Sequence, residues 1–141
     1  MNSSIICVDA SLVIPLVVGI GNVKRITELW TTWHESECVL IAPTLLYYEV
    51  TNALRRYLVH DELSEKETTE ALEAALALDI TLYNDDELHL KALYFANRFS
   101  LPAAYDAHYL ALAERFDAQF WTADRRLVRA VQNDLPWVNL V

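Results

Sequence analysis

Two glycines and four prolines among 141 residues leave little material for long loops or for a turn-rich β-sandwich. Helices and strands joined by short connections are expected instead. Cysteine is equally scarce. Cys7 and Cys38 each sit in an apolar run and read as small buried hydrophobes in a reducing compartment, not as a disulfide or a thiolate metal site. No stretch reaches the roughly 18 uninterrupted apolar residues of a membrane span. The opening "MNSSIICVDASL" has no basic segment and its apolar run is broken by Asp9, so no signal peptide, no membrane association and a cytoplasmic location are expected. Positive charge is also short. The formal net charge is −9 and lysine occurs only at 24, 66 and 91, which argues against broad attraction to nucleic acid or anionic lipid. It does not exclude nucleic acid as a substrate, because acids gathered to hold divalent cations would themselves add negative charge.

What the chain does have is apolar residues, at 54% of the total against 22% charged. That suits one folded domain over residues 1–141 with a substantial core. "IICVD", Ile5 to Asp9, reads as a strand for burial. Ser11 is the expected N-cap of a short helix running to about Val18, and "GIGN" is read as a turn. Val23, Ile26, Trp30 and Trp33 recur at helical spacing. Cys38 to Pro43 is a second strand. Leu46, Val50, Ala53, Leu54 and Tyr57 then trace a long helix, and "SEKE" (64–67) is a capping box opening another. A strand at 79–83 is followed by a helix through Leu88, Ala92, Phe95, Ala96 and Phe99, with Asp85, Asp86 and Glu87 at its start. "DAHYLALAERF" from Asp106 is a helix and "AQFWTAD" a strand. A short helix opens at Asp124, and "WVNLV" closes the chain as a strand. Apolar strands alternating with helices imply a mainly parallel sheet covered on both faces, a three-layer α/β/α sandwich. In such folds the reactive site lies beyond the carboxyl ends of the strands.

Asp9 stands at such an end, where an unpartnered carboxylate is costly. Asp124 ends a later strand in the same way, preceded by Thr122. Asp106 opens a helix, and Glu49 lies within an otherwise largely apolar one, with Asn52 three residues on. Asp106 and Asp124 are also placed to be simple helix caps, and Glu49 to face solvent. If the four acids converge, their proton affinities rise unless a cation enters, and a hard divalent ion with oxygen ligands resolves the repulsion.

"VDAS", "YYEVTNALRR", "AAYDAHYLALAE" and "WTADRRL", in that order and spread over essentially the whole chain, resemble the conserved segments of the PIN domain, most of all in the VapC-type toxins of toxin–antitoxin pairs. The resemblance implies an endoribonuclease dependent on Mg²⁺, with Mn²⁺ as a substitute, and an antitoxin and a second copy of the chain as partners. Matched position by position, the acid quartet is Asp9, Glu49, Asp106 and Asp124, with Asp9 and Asp106 as direct metal ligands. Ser11 and Thr122 are supporting hydroxyls, and Asn52 has a weaker supporting claim. The segment "VVGIGNV" lacks an acid often found there, and the chain is more acidic than an RNA binder needs to be.

Arg55, Arg56, Arg125, Arg126 and Arg129 are candidates for contact with RNA phosphates or an acidic antitoxin segment. The four histidines, at 34, 60, 89 and 108, show no i, i+4 pairing, which argues against zinc. Trp30, Trp33, Tyr47, Tyr48 and Tyr57 read as core or interface, and an apolar surface shared by the third and fourth helices would suit a homodimer. A phosphoaspartate phosphatase would need a second Asp where Ser11 stands. A receiver domain would need a well-placed lysine. A PIN relative that binds without cleaving is the remaining alternative.

Overall fold

Strand β1 (Ile5–Val8) is apolar throughout because both of its faces are covered. In the computed structural model, which describes residues 4–141, Ile6 and Val8 pack with Leu12, Leu29 and Trp33. These come from α1 (Ala10–Val18) and α2 (Val23–Glu35). Cys7 points the other way, and its thiol donates to the carbonyl of Tyr109, 3.7 Å away, on α6 (Ala107–Arg115). Residues 1–3, the first of the stretch read for a signal peptide, lie outside the described residues.

Five parallel strands form one sheet in the order β3-β2-β1-β4-β5. Here β2 is Val39–Pro43, β3 Ile80–Tyr83, β4 Gln119–Thr122 and β5 Val138–Leu140. Cys7 is in register with Ile41 on one side and Phe120 on the other, and Phe120 with Val138. These four form a buried row across the sheet. Helix α6 lies over its centre, against β1, β2 and β4, and α5 (Asp86–Arg98) packs on α6. Helices α3 (Leu45–Val59) and α4 (Glu65–Leu76) pack on each other and on α1, and α7 (Arg125–Val131) lies against β5. The parallel sheet flanked by helices is as expected, with strand ends trimmed by one or two residues.

Local signals explain most boundaries. Ser64 accepts from the Glu67 amide and Glu67 reaches back to the Ser64 amide, closing both halves of the capping box. Asp85 caps α5 by accepting from the Leu88 amide. In "GIGN", Gly19 ends α1 at φ 78°, in the left-handed region that a glycine enters without strain. One expectation is corrected. The N-cap of α1 is Asp9 and not Ser11, because the Asp9 carboxylate accepts from the Ser11 amide and the helix begins at Ala10.

Phe120 is fully buried at the middle of the sheet, stacked on Tyr109 with ring centroids 5.8 Å apart. Phe120→Ala should lower the unfolding free energy by about 3–5 kcal/mol, read as a fall in the midpoint of chemical denaturation.

Candidate active site

The sheet order reverses between β1 and β4, and the site begins there. Val8 is in register with Trp121, so the next residues out are Asp9 and Thr122. Thr122 is fully buried and its hydroxyl donates to Asp9 Oδ2 at 2.6 Å. Ser11 donates to Asp9 Oδ1 through both its hydroxyl and its amide. Each hydroxyl is itself oriented by the loop after β4: the Ala123 amide donates to Ser11 Oγ at 2.8 Å, and the Asp124 amide to Thr122 Oγ1 at 3.0 Å. A hydroxyl has one hydrogen to give, and both are spent on Asp9. Oδ1 thereby fills its two acceptor positions, while Oδ2 keeps one free among the described residues.

The other three acids follow a related pattern. Glu49 projects from α3 and accepts on Oε1 from the Tyr109 hydroxyl at 2.6 Å. Asp124 caps α7, accepting on Oδ1 from the amides of Arg126 and Leu127. In both, the second carboxylate oxygen accepts no hydrogen bond among the described residues. Asp106 precedes α6 but its side chain makes no capping bond, since its backbone is helical rather than extended. The cap expected of Asp124 is present and that of Asp106 is not.

Burial, helped by the charge of Asp106, pushes the Asp9 carboxyl up to about 7 against the hydrogen bonds from Ser11 and Thr122. Burial also raises Glu49, opposed by the Tyr109 hydroxyl and aided by Asp106. Asp106 is raised by burial and then by Asp124. Asp106 is thus the shared neighbour through which all four carboxylates feel one another. The couplings run through Asp106 and do not close into a cage: among the described residues no three His, Cys, Asp or Glu side chains are grouped tightly enough to chelate an ion unaided. A cleft of about 270 Å³ opens beside Asp106 and Asp124, with Arg126 on its wall.

Other candidates fall elsewhere. Asn52 is exposed and makes no hydrogen bond to Glu49; it lines a shallow depression with Tyr48 and Arg55. Arg56 lines another, beside Tyr57 and His60. Arg125 and Arg129 are exposed on α7. Asp85 is taken up by Arg115, which donates to both its oxygens at 2.7 and 2.9 Å and pulls its carboxyl down to about 2. Tyr48, read as core or interface, is 75% exposed. Tyr109 was missed by sequence reasoning, although a tyrosine buried in an apolar helix needs a partner for its hydroxyl, and Asp106 lies three residues before it on the same helical face. The contact of His89 Nδ1 with His108 Nε2 at 2.9 Å joins α5 to α6 and has no local spacing to announce it.

Comparison with known proteins shows the family to which this fold belongs. The PIN domain family model matches residues 7–134. Ribonuclease VapC1 of Mycobacterium tuberculosis is 33% identical over 123 residues, 87% of this chain and 88% of that protein. The crystal structure of Mycobacterium tuberculosis VapC20, described as a sarcin-ricin loop cleaving toxin, superposes with a TM-score of 0.68 at 17% identity, covering 89% of this chain and 95% of its own. A toxin–antitoxin complex from Klebsiella pneumoniae gives 0.60 at 18% identity, covering 97% and 96%. With a family match over residues 7–134 and a relative 33% identical over 87% of its length, the chain belongs to the PIN domain family.

Proposed function

We propose that this chain is a single-domain, divalent-metal-dependent endoribonuclease that hydrolyses RNA phosphodiester bonds, and that it serves as the toxin of a toxin–antitoxin pair. The observation that carries the proposal is the ring of Asp9, Glu49, Asp106 and Asp124. Glu49 and Asp124 each hold one carboxylate oxygen in hydrogen bonds and, among the described residues, keep the other available; Asp9 keeps one acceptor position on Oδ2, and Asp106 carries no capping bond.

All the donors are hard carboxylate oxygens, with no sulfur or nitrogen among them, and they are not closed into a cage. That fits Mg²⁺, which takes a few carboxylates and keeps several waters, with Mn²⁺ able to substitute. Asp9 and Asp106 are the residues that would hold the ion directly, with Glu49 and Asp124 completing the shell. When bound, the ion supplies a lowered pKa for an attacking water and positive charge for the leaving oxygen. The protein's own groups do the positioning. Ser11 and Thr122 stop the Asp9 carboxylate from turning, Tyr109 fixes Glu49, and α7 fixes Asp124. Arg126, beside Asp106 and Asp124, is placed to pair with a substrate phosphate. No side chain is required to bond covalently to the RNA.

The sequence match to a ribonuclease and the fold shared with a toxin–antitoxin complex support the toxin reading. Arg55, Arg56 and Arg125, all exposed, suit an acidic segment of an antitoxin. Val59 and Leu76, 57% and 56% exposed at the ends of α3 and α4, suit a homodimer contact. Among the described residues no single helix is long and apolar enough to cross a membrane, and we place the protein in the cytoplasm.

Asp106→Asn should reduce Mg²⁺-dependent cleavage of single-stranded RNA at least about a hundredfold, because it removes the charge all the other acids share. Its circular dichroism spectrum should match the wild type. Full cleavage by this variant would sink the metal-ring reading. A second test uses pH. The Asp9 carboxyl ionises near 3.8 when unfolded and near 7 when folded, so between these values the folded chain binds more protons than the unfolded one. Without metal, thermal stability should therefore fall as pH rises across that window. Asp9→Asn should flatten the slope, and Mg²⁺ should raise the melting temperature more at pH 8 than at pH 5. A stability of the metal-free protein that rises over the same range would contradict the assignment.

A further inference from the structure

Two tyrosines stand directly before two of the acids, Tyr48 before Glu49 and Tyr105 before Asp106. Both are left in water, 75% and 67% exposed, and both line one cleft of about 420 Å³. The cleft lies beyond the carboxyl ends of β2 and β3, with Pro43 and Tyr83 at its base, on the same end of the sheet as Asp9. Single exposed aromatics are ordinary. Two that share a cleft, each one peptide bond from a site carboxylate, are a built feature.

The lining contains no Lys, Arg, Asp or Glu, so the cleft offers nothing to a phosphate. It offers rings, and polar groups that are already oriented. His108 Nδ1 lies 2.8 Å from the Ala104 carbonyl, which can only accept, so that nitrogen carries a hydrogen. His108 Nε2 and His89 Nδ1, 2.9 Å apart, share the next hydrogen bond, which leaves His89 Nε2 for the polar edge of a ligand. Asn84, exposed on the same lining, supplies an amide donor and an acceptor. Aromatic faces beside a few fixed hydrogen-bonding groups are what an unpaired base requires, since every base has a stacking face and a polar edge.

We infer that this cleft is a nucleobase subsite: an unpaired base of the RNA substrate stacks against Tyr48 and Tyr105, and its edge is read by Asn84 and His89. The inference rests on the ribonuclease reading and adds to it a means of selecting single-stranded positions. The cleft and Asp9 lie at the same carboxyl end of the sheet, so the backbone of that nucleotide is directed across this end toward the acids.

The test uses the Asp106→Asn protein, in which binding is measured without cleavage. The probes are a short randomised single-stranded RNA with a fluorescent label and the same RNA built of abasic residues. Adding Tyr48→Ala and Tyr105→Ala together should weaken the Kd for the base-bearing RNA about tenfold or more and leave that for the abasic RNA unchanged. Tyr48→Phe with Tyr105→Phe should retain binding. In the otherwise wild-type enzyme the alanine pair should act mainly on KM, and His89→Ala should alter which base is preferred next to the cut. Both tyrosines are exposed, and a melting curve matching the parent confirms that the variants fold. Equal losses on the two RNAs, or none, overturn the subsite and leave the cleft to a protein partner. No detectable binding of the base-bearing RNA overturns it as well. Failure of the ribonuclease reading shows separately, as an Asp106→Asn enzyme that cleaves like the wild type or a wild type that does not cleave.

Discussion

A carboxylate placed at the end of the central strand, where it is almost completely buried, is the constraint around which the molecule is arranged. Buried without partners, Asp9 would cost the fold several kcal/mol or simply take up a proton. Two hydroxyls offset part of that cost, one from the helix that follows β1 and one from the end of β4. They serve only because the parallel register between β1 and β4 brings Thr122 alongside, and because the loop at 123–124 turns its amides onto the hydroxyl oxygens. The apolar layers on either face of the sheet set that register. Core and site are therefore one problem: if the sheet slips, the clamp opens.

The remaining acids extend the same compromise. A protein with a net charge of −9 would gain stability by spreading its carboxylates over the surface, yet it brings four of them within reach of one another's fields. Folding accepts this repulsion because the Tyr109 hydroxyl holds part of the charge of Glu49, and the Arg126 and Leu127 amides part of that of Asp124. What stays uncompensated is concentrated at Asp106. The site is thus prepared for positive charge before any arrives, which is the condition for strong electrostatic catalysis.

Much of this was legible in the sequence. Strand and helix order followed from apolar runs and helical spacing, because burial on both faces leaves a strong pattern. The capping box at Ser64 and the cap at Asp85 were local signals with local outcomes. Asp9 and Asp124 were visible as charges where apolar strands end, and Glu49 as a charge within a largely apolar helix. The partnerships were less visible. Asp9 and not Ser11 caps α1, since the clamp turns the carboxylate toward its own helix. Tyr109 and Glu49 are 60 residues apart and meet only in three dimensions. So do His89 and His108, and Arg115 and Asp85. Tyr48 looked like part of an apolar stripe because spacing cannot tell which side of the stripe a neighbouring helix covers.

The clamp on Asp9 has a consequence in time. Its two halves, Asp9 with Ser11 and Thr122 with Ala123, lie 112 to 113 residues apart, nearly the full length of the chain. Loop closure over such a span comes late, after local helices have formed. During synthesis the first acid leaves the ribosome long before the strand that orients it. The nascent chain therefore carries no organised acid ring until its last fifth has emerged, and a partner that captures the chain as it folds meets it before it can cut.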